Sequence, residues 1–128
     1  MRFVHTADLH LGRRLAQMSL EEDLEHVLGD LYDLVVRSRA QALVVAGDVF
    51  DSPNPHESAV RQWDRFITRM AASGVSVLAV GGNHDSGARL AVGGELMARS
   101  GIHIVGELAG DLTCVEVEGV GRLYNDVK

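Results

Sequence analysis

Three short apolar runs, each released into a polar cluster, constrain this chain more than any other feature. The runs are "RFVHT" (Arg2 to Thr6), "ALVVA" (Ala42 to Ala46) and "VSVLAV" (Val75 to Val80). The second is continuously apolar and reads as a strand covered on both faces. Between the first two runs, Leu20, Leu24, Val27, Leu28, Leu31, Leu34 and Val35 recur at helical spacing, and Ser19 with Glu22 reads as a capping box at the helix start. Between the second and third, Val60, Trp63, Phe66, Ile67 and Met70 form another stripe, with Asn54 as cap, Pro55 in the first turn and Gly74 as terminator. A weaker helical piece spans Ala88 to Arg99, and "IHIV" and "LTCVEVEG" read as later strands. The order β-α-β-α-β implies an α/β fold, a mostly parallel sheet flanked by helices with right-handed crossovers. A dinucleotide-binding version lacks its signature, because the turn "TADLHLG" carries no glycine fingerprint.

Parallel strands share a carboxyl edge, and ligands of open α/β sheets bind there. Asp8 and His10 follow the first run, Asp48 the second, and Asn83, His84 and Asp85 the third. Clusters far apart in sequence should therefore meet in space. Asp8 and His10 are two apart, so in an extended segment both project to one side. A carboxylate and an imidazole suit Mn²⁺, Fe²⁺ or Zn²⁺. Asp48 could bridge two ions, and Asn83 offers a neutral carbonyl oxygen. Each cluster alone reads as an ordinary turn. Their coincidence with three strand ends points to metal.

Charge narrows the partners. The 128 residues are 46% hydrophobic and 23% charged, with a formal net charge of -6, a globular composition that is not basic. Contact with nucleic acid must then be local, or metal ions must offset the carboxylates. No run approaches the roughly 18 apolar residues of a membrane span, and "MRFVHTADLH" does not read as a secretory signal. Cys114 is the single cysteine, which excludes an intrachain disulfide. The expected location is cytoplasmic, with no membrane partner.

"DLH", "GDVFD" and "GNHD", in this order, resemble the calcineurin-like metallophosphoesterases. The longer stretches "HTADLHLG" and "VVAGDVFDSPNP" resemble, more narrowly, the SbcD-type nuclease subunits of a bacterial DNA repair complex. The resemblance extends from Met1 to about Val105. It implies the layered metallophosphoesterase fold and two divalent ions, most commonly Mn²⁺. By it, Asp8 and His10 hold the first ion, Asp48 bridges both and Asn83 holds the second. It gives His84 the role of protonating the leaving oxygen or stabilising its charge, with Asp85 orienting His84. It also implies DNA as substrate, hydrolysed by an exonuclease or endonuclease in repair or recombination, and an SbcC-type ATPase subunit as partner of the full-length parent.

The family pattern continues with a later histidine and a His-x-His, whereas only His103 follows His84 here. The expectation is that residues 1–128 form the N-terminal part of the domain, without its C-terminal half, capping domain and partner-binding segment. The first site then keeps Asp8, His10 and Asp48, and the second only Asp48 and Asn83, so this chain should hold at most one ion. Two other functions fit: a related phosphoesterase acting on a small phosphoester, or a non-catalytic domain that binds one ion. A free sheet edge could pair with a second copy as a homodimer.

Other polar residues receive plainer readings. His5 reads as a hydrogen-bonded packing residue, His26 and His56 as solvated helix residues, and His103 as an edge residue. Asp51 reads equally as a support for the site or as a turn cap. Arg61, Arg65 and Arg69, spaced by four, read as a solvated helix face. Arg13 and Arg14 follow the metal loop directly and are the better candidates for phosphate contact.

Overall fold

A computed structural model describes residues 2–81, 94–105, 113–117 and 121–125. Four strands, β1 (Phe3–Thr6), β4 (Ala42–Ala46), β5 (Ser76–Val80) and β6 (Ile102–Val105), form one parallel sheet in the order β1-β4-β5-β6. A ribbon of β2 (Arg14–Leu15) and β3 (Met18–Ser19) follows β1, and β7 (Thr113–Val117) pairs antiparallel with β8 (Gly121–Asn125). The helices are α1 (Glu21–Arg37), α2 (Glu57–Ala72) and the short α3 (Gly94–Arg99). This is the parallel α/β arrangement that the apolar runs imply.

Strand period and register decide which residues make the core. Val4, Leu43, Val77 and Ile102 lie side by side across the sheet, as do Thr6, Val45, Ala79 and Ile104. The apolar members of these rows pack with Leu28 and Val35 of α1 and with Trp63, Phe66, Ile67 and Met70 of α2. So α1 and α2 cover one face of the sheet. Each large side chain buried there contributes about 1.5–3 kcal/mol. Val27, Leu34 and Val60 share the predicted stripes but remain about half exposed, at their margins. Gln62 is buried between the helices, where its Nε2 donates to the Glu21 carbonyl and to Glu25 Oε2.

The helix starts differ from the sequence reading. Ser19 is paired with Arg14 in the ribbon, and α1 starts one residue later than the capping box implies. Leu20 is the cap residue, without a side-chain bond, and Ser19 Oγ accepts from the Glu21 amide instead. Pro55 disfavours a helical Asn54, and α2 begins two residues beyond the proline. Its cap is His56, whose Nδ1 accepts from the Ser58 amide. His56 is thus solvent-exposed, as expected, but caps the helix from just outside its first turn. The C-terminus of α2 follows expectation: Gly74 takes φ 74, its amide bonds Ala71 and that of Val75 bonds Met70.

His5 is exposed on the face away from the helices, so it is not a packing residue. His26 is exposed on α1 as expected. His103 lies on β6, an outer strand of the sheet among the described residues, on the face opposite Ile102 and Ile104, and is partly buried. No helix among the described residues is long and apolar enough to cross a membrane.

Candidate metal centre

Beyond β1 and β4 the two chain segments stay zipped together. The Asp8 amide donates to the Gly47 carbonyl, that of His10 to Asp48 and that of Leu11 to Val49, and the Asp51 amide returns a bond to Leu11. The Gly47 amide bonds Val80, tying in the end of β5. Leu9, Leu11, Val49 and Phe50 are buried beneath, which anchors both loops in the core. Leu11 and Phe50 form a further parallel bridge. Polar residues between these anchors are forced outward.

Asp8, His10 and Asp48 all have left-handed backbones, with φ of 56, 50 and 49. Asp and His enter this region more readily than most residues, though at some cost. The arrangement places one donor atom from each residue within 4.8 Å of the others. His10 Nε2 lies 3.9 Å from Asp8 Oδ1 and 3.9 Å from Asp48 Oδ2. Two donors each about 2.1 Å from one ion can be at most about 4.2 Å apart, so both pairs fit a shared ion. Two carboxylates and an imidazole also match the donor chemistry of Mn²⁺, Fe²⁺ or Zn²⁺. The Asp8 side chain is 67% exposed and that of Asp48 only 15%, so the site is open on the Asp8 side.

The structure thus brings together two of the three predicted clusters. Asn83, His84 and Asp85 lie outside the described residues. Asp51, which the sequence reads in two ways, reaches the site. Its Oδ1 lies 3.1 Å from His10 Nδ1, on the ring edge away from Asp8 and Asp48. No local pattern signals this contact, because the partners are 41 residues apart.

The arginines divide. Arg61 pairs with Glu57, Arg65 Nη2 lies 3.9 Å from Glu25 Oε2 and the Arg69 guanidinium sits 3.7 Å over the Tyr32 ring. This face is occupied by local and interhelical contacts. Arg14 Nη2 donates to the Gln17 carbonyl within the ribbon. Arg13 is exposed beside the metal loop.

Comparison with known proteins agrees with this geometry. Residues 1–122 match the calcineurin-like phosphoesterase family. The chain is 33% identical over 124 residues to the D subunit of nuclease SbcCD from Bacillus subtilis (strain 168), covering 96% of this chain and 32% of that protein. It is 35% identical over 98 residues to the protein of that name from Escherichia coli (strain K12), covering 77% and 24%. The one from Rhodobacter capsulatus is 33% identical over 111 residues, covering 85% and 27%. The chain therefore spans about a third or less of the length of these relatives.

Proposed function

The chain belongs to the calcineurin-like phosphoesterase family, and from that premise we propose that it supplies the first metal site of a metal-dependent nuclease acting on DNA in repair or recombination. The convergence of Asp8, His10 and Asp48 at the carboxyl edge carries this reading. Asp8 and His10 would hold one divalent ion, Mn²⁺ by preference, with Asp48 serving both that ion and a second one that Asn83 would also hold. Bound divalent ions supply an activated water and neutralise charge on the phosphoryl oxygens. His84 passes a proton to the leaving oxygen, and Asp85 fixes the ring of His84. The likeness to one component of the SbcCD nuclease supports DNA as substrate and an SbcC-type ATPase subunit as partner of the full-length protein.

Residues 1–128 on this reading are the N-terminal part of the domain. They hold one ion and hydrolyse DNA poorly by themselves. Titration calorimetry with Mn²⁺ tests the assignment. We expect one ion per chain, no measurable binding after Asp48→Ala, and retained binding after His84→Ala. Binding that survives Asp48→Ala unchanged would place the ion elsewhere and end the proposal.

A further inference from the structure

We infer that Asp51 is a positioning residue for the metal centre, acting through the ring of His10. The inference rests on the metal-site reading above and goes beyond it, since Asp51 donates nothing to the ion itself.

An ionised carboxylate can only accept a hydrogen bond. At 3.1 Å from Asp51 Oδ1, His10 Nδ1 must therefore be the donor, and it carries the ring proton. In a neutral imidazole that leaves the lone pair on Nε2, the atom 3.9 Å from both Asp8 Oδ1 and Asp48 Oδ2. The contact fixes the tautomer and also limits rotation of the ring. Histidines that hold metals depend on such a bond at their other nitrogen, and its loss typically costs 10–100-fold in affinity.

Placement of the carboxylate is secured by backbone and not by chance. The Asp51 amide bonds the Leu11 carbonyl, the residue after His10, while the amides of His10 and Leu11 bond Asp48 and Val49. Ring and carboxylate are held from both sides of the same zipped pair of loops. Phe50 and Leu11, buried next to them, keep the two loops from sliding. A turn cap would need none of this. Asp51 instead reaches across to the other loop.

The test uses the full chain and Mn²⁺ titration, with thermal unfolding to confirm that each variant folds. We expect Asp51→Ala to weaken Mn²⁺ roughly 10–100-fold. Asp51→Asn, whose amide oxygen still accepts from Nδ1, should recover most of that loss. In a His10→Ala background, Asp51→Ala should cause no further loss, because its effect runs through the ring. Ring ¹⁵N NMR of His10 in the metal-free chain should show the proton on Nδ1, and a mixture of tautomers in Asp51→Ala. Affinity within about twofold of the unmodified chain in Asp51→Ala would overturn the inference. So would an equal loss in the His10→Ala background, or equal losses in Asp51→Asn and Asp51→Ala, which would mark a through-space effect of charge. Failure of the metal site itself would look different: Asp48→Ala would then leave binding intact.

Discussion

At both edges of the parallel sheet the chain enters left-handed backbone, but the residues that do so differ. Along the amino edge, where helices return to strands, the positions are Arg39, Gly74 and Gly101, with φ of 55, 74 and 84. Each follows a helix end, and the amides there bond the carbonyls of the last turn. Along the carboxyl edge they include Asp8, His10 and Asp48. No helix ends there, and three polar side chains converge. Glycine takes this conformation freely, whereas a residue with a Cβ gives up roughly 1–2 kcal/mol. Left-handed backbone at the amino edge reverses the chain. At the carboxyl edge it aims side chains, and the cost is offset by burial of Leu9, Leu11 and Val49 beneath.

Substitutions can break this contrast in graded ways. Gly74→Ala should have the largest effect on stability, about 1–2 kcal/mol by chemical denaturation. A Cβ there meets nothing within 4 Å, so the loss is one of backbone conformation alone. Mn²⁺ affinity should not change; a parallel fall would show that the two edges are not independent. Asp8→Gly should do the reverse at the other edge. Relief of the left-handed backbone should raise the stability of the metal-free chain by up to about 1 kcal/mol, while Mn²⁺ affinity drops. A clear loss of metal-free stability would mean that no strain is held at Asp8.

The smallest effect concerns His103, at the amino edge. Burial lowers its pKa from the usual 6.5. The folded chain therefore disfavours the charged ring, and the unfolded chain binds the proton more readily. Stability from this residue is complete above about pH 6.5 and declines as pH falls toward the lowered value. His103→Asn should reduce the stability difference between about pH 7.5 and about pH 5. An unchanged pH dependence would show that the ring stays solvated.

Much of this arrangement was legible in the sequence, and the reasons are local. Apolar runs such as Ala42–Ala46 and stripes such as Trp63, Phe66 and Met70 reflect strand and helix periods directly. The positions of Asp8, His10 and Asp48 followed from their place at strand ends. What escaped was set by contacts across the chain. The ribbon of Arg14–Leu15 and Met18–Ser19 is too short to show a period, and its turn uses Ala16 and Gln17 at positive φ without a glycine to announce it. That ribbon moved the cap of α1 from Ser19 to Leu20. His5 alternates like a packing residue, yet it sits on the sheet face that α1 and α2 do not cover. Asp51 could be understood only once Leu11 and Phe50 were seen side by side.

Among the described residues β1 pairs with β4 and with no other strand, and its extension carries two of the three candidate donors while the third follows β4. Outer strands are where a sheet begins to fray. An ion held by Asp8, His10 and Asp48 would bind only when β1 is docked, so by mass action it would oppose peeling of that strand. At 100 times its dissociation constant, such an ion adds about 2.7 kcal/mol to the cost of release. Ion occupancy would then be a gauge of how firmly β1 is held.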